Sequence, residues 1–294
     1  VSGGGFFLLF CKKSLSLKSD YLLFVSLVDF MPKSNKASLL LSTDTLAGYG
    51  LDLIFDIAKT INFDGIDLAL WKSFDTYNIS YIKKLIAKYN MPVEVVQTSA
   101  EVNVLELNHA VDLAREIGAK VIAINAPTFF NFRSFRFLSA NLNQYMRQNP
   151  QLTFAIINPS KATLFYLPIP KFRFSNIVEI IKKYRSHLAL DVVHIDKDSF
   201  ENVLMRKLPN FIPYLSVIYL ADKPRMYESH LPLGEGVLKL SPFLKKLKQN
   251  EYYNFFSIKL DLSKAELADG EKIEIILKKC RLYYKEYFED LILS

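Results

Sequence analysis

Cysteine, histidine, tryptophan and glycine are all scarce in this 294-residue chain, with 2 Cys, 4 His, 1 Trp and 10 Gly. The two cysteines, Cys11 and Cys280, stand near opposite ends and neither belongs to a CxxC pair. That argues against a zinc ribbon or a disulfide framework and suits a reducing compartment. Glycine is too sparse for a collagen-like or low-complexity chain. Neither GxGxxG nor GxxxxGK[ST] occurs, so the glycine loops that cradle dinucleotides and nucleotides are missing. No apolar run reaches the roughly 18–20 residues that a bilayer span needs. Charge is also undramatic: 37 Lys and Arg against 30 Asp and Glu leave a net +7. The positive residues are scattered, whereas nucleic-acid binding usually shows a basic stripe. The excess suits small anionic ligands through the summed field.

What the chain does have is apolar mass. Half of it is hydrophobic and 14% aromatic, enough for a large buried core. Residues 1–30 differ in texture, with a glycine run (Gly3 to Gly5), then Phe6-Phe7-Leu8-Leu9-Phe10, and later Tyr21-Leu22-Leu23-Phe24-Val25. No small-x-small cleavage site follows cleanly, as a signal peptide would require. The expectation is a non-native or disordered extension over 1–30, with Met31 as the native start and one domain over 31–294; a hydrophobic anchor is the alternative.

From Ala37 onward one pattern repeats, a short apolar run followed by a longer segment of helical spacing. The strands are expected at Ala37–Ser42, Gly65–Leu70, Pro92–Gln97, Lys120–Asn125, Thr153–Asn158, Leu188–Val193, Leu215–Ala221 and Phe255–Leu260. Each suits a parallel strand buried on both faces. Helices are expected at Leu51–Thr60, Ile79–Tyr89, Val104–Ile117, Asn176–Tyr184, Pro242–Gln249 and Glu271–Leu291, with Gly118 as a C-terminal stop. Strand starts fall 27 to 40 residues apart, the spacing of repeated βαβ units. Eight such units predict an α/β fold, a single (β/α)8 TIM barrel, rather than an open doubly wound sheet with its glycine loop. Reactive side chains then belong at the carboxyl ends of the strands.

Those ends read Ser42-Thr43-Asp44, Leu70-Trp71-Lys72, Gln97-Thr98-Ser99, Asn125-Ala126-Pro127, Ile157-Asn158-Pro159, Asp191-Val192-Val193-His194, Tyr219-Leu220-Ala221-Asp222 and Lys259-Leu260-Asp261. Asp191 with His194 can present a carboxylate and an imidazole to one metal ion or one substrate hydroxyl. An equally open reading makes them a structural hydrogen bond at the barrel mouth. Glu228 and His230 form a second pair, ahead of Leu233-Gly234-Glu235-Gly236, unless they are ordinary loop residues facing water. Trp71, Asn125, Asn158 and Tyr219 are candidate substrate contacts. His187 reads as structural and His109 as a surface or packing residue. Phe129, Phe130, Phe132, Phe135 and Phe137 are first a packing supply, then a substrate-stacking wall. The connections Pro159–Phe174 and Lys223–Lys239 are expected to shape the pocket or act as lids. Arg133, Arg136, Lys161, Lys171, Arg173 and Arg225 lie in such connections and could meet a phosphate, though solvated surface charge is the plainer fate.

Several of these segments together resemble one family. Phe63-Asp64-Gly65-Ile66-Asp67-Leu68 is similar to the second strand of the xylose-isomerase-like TIM barrels, and Ala114 to Ile122 to their entry into strand four. Leu190 to His194 resembles the D-x-x-H of strand six, and His230 to Gly236 the H-x-x-P-G-x-G loop after strand seven. This superfamily includes sugar-phosphate isomerases and epimerases and the endonuclease-four type apurinic-site endonucleases. The resemblance implies divalent metal at the carboxyl face, held by a Glu after strand five, the Asp and His of strand six, a His on strand seven, an Asp-x-His in the next loop and a Glu ending strand eight. Carried over, it implies Asp191, His194 and His230 as ligands, with Glu228 in place of the loop Asp. Three positions depart, because Ile157, Tyr219 and Lys259 stand where the family has Glu, His and Glu.

A dication about 4 Å from a unit charge feels roughly 8 kcal/mol at an effective dielectric near 20. Two missing carboxylates remove that attraction, and Lys259 reverses one of them. The expectation is therefore an altered site in which a divalent metal (Zn, Mn or Mg) is weakly held or absent, with Asp191, Lys259 and Glu228 as catalytic candidates. Lys259 is read three ways: an ammonium in the place of the ion, a neutral amine doing chemistry if its pKa were lowered, or a charge that merely neutralises Asp191. The expected function is a cytoplasmic sugar (phosphate) isomerase or epimerase moving a proton alpha to a carbonyl. The alternatives are a non-catalytic barrel that binds a sugar or anionic metabolite or serves as an interaction module, and an apurinic-site phosphodiesterase. Partners are expected to be small sugars or sugar phosphates, with no membrane and with nucleic acid only under the phosphodiesterase alternative; the sequence leaves oligomeric state open.

Overall fold

The computed structural model describes residues 36–71, 74–126, 132–159 and 186–292, all within one compact unit, Ser34–Ser294. The expected extension over 1–30, the helix at Asn176–Tyr184, residues Phe129 and Phe130, and Lys161, Lys171 and Arg173 lie outside the described residues.

Eight parallel strands close into a barrel in chain order. They are β1 Ser38–Ser42, β2 Gly65–Ala69, β3 Val93–Gln97, β4 Val121–Asn125, β5 Thr153–Ile157, β6 His187–Asp191, β7 Leu215–Leu220 and β8 Phe255–Ile258. The ring closes where Ser38 to Leu41 pair with Phe255 to Ile258. The helices are α1 Leu51–Ile61, α2 Ile79–Tyr89, α3 Val104–Ile117, α4 Phe132–Gln148, the short α5 Lys197–Ser199, α6 Met205–Phe211, α7 Leu240–Gln249, the short α8 Lys264–Leu267 and α9 Gly270–Tyr284. None is long and apolar enough to cross a membrane.

Local chemistry explains the boundaries. The side chain of Asn103 accepts from the Leu105 and Glu106 amides and starts α3. Gly118, in the left-handed region at φ 76°, ends it. Beyond the expected set lie α4, the run from Lys197 to Phe211 and the single turn of α8. The first is rich in Arg, Asn and Gln, which thins the apolar stripe by which a helix is read; the second contains Pro209, which breaks the usual helical signal. Strand six starts one residue earlier and ends two earlier than expected. Its end is set by the Asp191 carboxylate, which accepts from the Val193 amide at 3.1 Å and turns the chain out of the ladder.

The outward faces of the strands pack with the helices into one apolar cluster. Alternation sends Leu40, Val95, Val121, Ala189, Val217 and Phe255 into the barrel, all buried. Nearer the carboxyl ends the interior turns polar, with Ser42, Asp67, Gln97, Asp191, Ser257 and Lys259 buried.

Candidate active site

Asp191, the last residue of β6, is fully buried. Asn158, just past β5, holds it in place with both ends of its amide: Nδ2 donates to the Asp191 carbonyl at 2.9 Å, and Oδ1 accepts from the Asp191 amide at 2.7 Å. The side chain thus continues the ladder beyond the last backbone pair. His230 Nε2 lies 3.1 and 3.0 Å from the two carboxylate oxygens, His194 Nε2 lies 3.7 Å from Oδ2, and Lys259 Nζ lies 3.9 Å from it.

Both imidazoles are oriented from behind. His230 Nδ1 meets Asp261 Oδ2 at 3.1 Å, and the same oxygen accepts the His230 amide at 2.8 Å. His194 Nδ1 meets the Asn158 carbonyl at 2.8 Å. A carbonyl only accepts, so His194 carries its proton on Nδ1, and Nε2 faces Asp191. Ligand atoms of Asp191, His194 and His230 all fall within 4.8 Å of one another. This donor set, with each imidazole steered through its far nitrogen, is the pattern of metal-ligating histidine.

Charge balance governs the cluster. Burial pushes Asp191 up, but the fields of His230, His194 and Lys259 and the His230 hydrogen bond outweigh it and hold the carboxyl well below the usual range. Burial pulls His230 down, while Asp191 and Asp261 lift it to about 9. Asp261 feels a burial penalty too, yet the His230 contacts bring it down to about 2.

Lys259 follows β8 and is largely buried, its Nζ 3.5 Å from Asp44 Oδ2 and 5.2 Å above the Tyr219 ring. Burial favours the neutral amine, but Asp191, Asp44 and Asp67 together raise its pKa above the ordinary value. At neutral pH it is an ammonium, so of the three readings open in the sequence the neutral amine loses its footing. Beneath it Asp67 Oδ2 accepts from Gln97 Nε2 and Ser257 Oγ, each at 2.7 Å. Asp67 Oδ1 has no partner among the described residues, and burial pushes this carboxyl up to about 7.

The loop after β7 delivers His230. Asp222 and Leu231 exchange two backbone hydrogen bonds at 2.8 Å, folding the loop back onto the strand end. Gly236 completes the turn; a Cβ there would stand 2.3 Å from Asp222 Oδ1 and 2.4 Å from the Lys223 carbonyl. Asp222 Oδ1 accepts from the amides of Lys223 and Leu238. Lys223 Nζ donates to the carbonyls of Val193 and Ile195 at 2.7 and 3.0 Å, which bracket His194.

Of the four residues expected to ligate metal, Asp191, His194 and His230 come together, while Glu228 is half-buried in the β7 loop and outside that trio. Among the expected substrate contacts, Asn158 is committed to the Asp191 backbone. Asn125 ends β4 and donates to the Thr98 carbonyl at 2.6 Å. Tyr219 is buried with its hydroxyl unpartnered among the described residues, and Trp71 sits half-buried after β2. His187 opens β6 and burial lowers its pKa; His109 stacks on Tyr77 with centroids 4.9 Å apart. Arg133, Arg136 and Arg225 are exposed, and Phe137 packs against Tyr145. Sequence reasoning assigned no role to Asp44, Asp67, Gln97, Ser257 or Asp261, although Asp44, Gln97 and Asp261 stand in the strand-end windows. The available signal was a polar residue at an inward position of an apolar strand, as in Gly65-Ile66-Asp67-Leu68 and Phe255-Phe256-Ser257-Ile258.

No curated protein matches the chain in sequence. Among solved structures, an IOLI protein with a binding zinc atom is similar at TM-score 0.67 and 12% identity, covering 85% of this chain and 99% of that one. A D-tagatose 3-epimerase-like protein is similar at TM-score 0.62 and 17% identity, with coverage of 85% and 99%. The 3-keto-D-glucoside 4-epimerase YcjR from E. coli is similar at TM-score 0.62 and 14% identity, covering 83% and 99%. Identities this low speak to the fold alone. The family profile reaches further, because it matches the sequence itself over residues 55–278, from α1 into α9 and through seven of the eight strands: the chain belongs to the xylose isomerase-like TIM barrel family.

Proposed function

We propose that this protein is a sugar or sugar-phosphate isomerase or epimerase that moves a proton alpha to a carbonyl at the carboxyl face of its barrel, with an ammonium standing in for part of the family's metal charge. The observation that carries this reading is the convergence of Lys259 Nζ and two imidazole Nε2 atoms on the one buried carboxylate of Asp191. Proton abstraction next to a carbonyl builds negative charge on the oxygen, and a fixed cation at that point lowers the barrier. Lys259 is such a cation, buried and held by Asp191 and Asp44. Asp191 keeps it charged, and Tyr219 walls it from below. The proton itself is carried by a carboxylate at the mouth, for which the sequence offers Glu228.

Asp191, His194 and His230 would hold a divalent ion, and two imidazoles favour zinc over magnesium. When bound, it supplies a Lewis acid beside the substrate oxygen. Lys259, 3.9 Å from the same carboxylate, makes such binding weak. The small-molecule partner is a sugar; the neighbours named as epimerases support that class. A barrel that binds a sugar without turnover is the second reading, favoured by apolar Ile157 at the end of β5.

Deuterium exchange from solvent into a panel of aldoses and ketoses, read by mass spectrometry, tests the proton transfer. Exchange that Lys259→Met slows by 100-fold or more, about the lower end of general acid–base and electrostatic effects, supports the enzyme. Sugar binding without exchange supports the second reading. Elemental analysis of the purified protein and of Asp191→Ala tests the metal: a substoichiometric ion lost in the variant is the expected result.

A further inference from the structure

An ammonium in a loop ordinarily stays in water, yet Lys223, soon after the end of β7, is buried. Its Nζ crosses to the loop of the neighbouring strand and donates to the Val193 carbonyl at 2.7 Å and the Ile195 carbonyl at 3.0 Å. It therefore grips the backbone on both sides of His194. The turn there closes weakly by itself, since the Ile195 amide reaches the Val192 carbonyl at 3.3 Å, longer than the roughly 2.9–3.0 Å of an ordinary bond. The His194 ring is held through Nδ1 on the Asn158 carbonyl. That bond sets how the ring turns, while the backbone sets how far Nε2 reaches. The main chain beside Lys223 is tied the other way: Asp222 and Leu231 exchange two bonds at 2.8 Å, and Leu231 adjoins His230. One dipeptide is thus bonded next to both imidazoles. The rings meet edge to face, with centroids 5.7 Å apart and planes at 77°, and both Nε2 atoms face Asp191.

Resting on the metal reading proposed above, we infer that Lys223 is a positioning residue: by clamping the β6 loop to the β7 loop it sets the spacing of the His194 and His230 imidazoles, and with it the fit of the Asp191, His194 and His230 donors to a divalent ion. It acts through the Val193 and Ile195 carbonyls and not as a ligand, because an ammonium has three donors and no lone pair. Remove the ammonium and both carbonyls lose this donor in a buried place, which costs more than an exposed bond would. The turn relaxes, and His194 Nδ1 leaves the Asn158 carbonyl while Nε2 leaves Asp191. His230 keeps its own hold, through Asp261 at Nδ1 and at its amide, so the loss falls on one ring of the pair.

The test compares wild type, Lys223→Met and Asn254→Ala by cobalt(II) titration of the metal-free protein and by long-range proton–nitrogen NMR of the imidazoles, of which the chain has only 4. Asn254 is the control for general loosening, since it donates to the Leu215 carbonyl at 2.7 Å at the opposite, amino-terminal end of β7. The expected result is cobalt affinity at least tenfold lower in K223M, the low end of the roughly 10–100-fold that outer-shell partners are worth. His194 is expected as the single Nδ1–H form in wild type and as a tautomer mixture in K223M, with N254A like wild type in both measurements. Affinity within threefold of wild type and an unchanged His194 spectrum in K223M overturn the inference, as does an equal loss of affinity in N254A. A tautomer mixture in the wild type overturns it without any variant. Should wild type bind no cobalt, the metal reading falls and the His194 spectrum alone decides: a mixture confined to K223M supports the positioning role, and no change overturns it.

Discussion

The barrel mouth is divided into two arcs of different character. On β3, β4 and β5 the strand ends carry Gln97, Asn125, Ile157 and Asn158, none ionisable. Their amides are spent on neighbours: Gln97 on Ser42 and Asp67, Asn125 on the Thr98 carbonyl, Asn158 on the Asp191 backbone. On β6, β7, β8 and β1 the ends and following loops carry Asp191, His194, His230, Lys259, Asp261 and Asp44. One arc spends its amides on its neighbours and the other concentrates charge. Because a buried charge is tolerable only when compensated, the charged arc is a single interlocked unit, whereas each amide of the neutral arc acts locally.

That contrast makes Asp191 the most consequential residue. Its removal leaves Lys259 and His230 buried without their shared counter-charge, and breaking such a pair costs about 3–5 kcal/mol. Urea unfolding of Asp191→Ala at neutral pH is expected to show a loss of that order; a loss under about 1 kcal/mol, the worth of a surface pair, would mean the arc is not interlocked.

Next comes the pH dependence of stability. Asp67 is raised from 3.8 to about 7, so its contribution is fully present below 3.8 and is lost as pH rises through about 7, where the buried carboxyl must ionise. His230 is raised from 6.5 to about 9; its contribution is present below 6.5 and lost as pH rises through about 9. Two successive declines are expected in urea midpoints against pH. Asp67→Asn removes the lower one and leaves the upper. Persistence of both in that variant would place the lower titration on another group.

Smaller again is the effect of Gly236→Ala. The added Cβ would meet Asp222 and the Lys223 carbonyl, and overpacking of this kind costs about 1–3 kcal/mol. Since the same loop carries His230 into the charged arc, the variant is also expected to lower the pH at which the upper decline occurs. An unchanged pH profile would show that His230 is held by Asp191 and Asp261 without help from the loop.

The sequence made the fold plain and the site only partly so, for one physical reason. A parallel barrel strand is buried on both faces, so eight short apolar runs with helical spacers stand out, and the eight strands fall within one or two residues of their expected bounds. Asp191, His194 and His230 could be named because acids and imidazoles at strand ends are conspicuous. Asp67, Gln97 and Ser257 were not, because their meaning comes from contacts across the ring: Asp67 and Ser257 lie 190 positions apart. The double commitment of Asn158 is equally invisible along the chain, since an asparagine after a strand reads as a ligand contact or a turn until the neighbouring strand is in place.

The smallest expected effect tests the neutral arc directly. Asn125 donates one hydrogen bond, to the Thr98 carbonyl at 2.6 Å, from a partly buried position. A neutral bond of this kind contributes about 0.5–1.5 kcal/mol net, and Asn125→Ala is expected to cost that much in urea unfolding. Because no charge is uncovered, the cost should be the same on either side of the Asp67 and His230 titrations. A loss above about 3 kcal/mol, in the range of a broken buried ion pair, or one that tracks either titration, would mean that β4 is coupled to the charged side, and the division of the mouth into a neutral arc and a charged arc would fail.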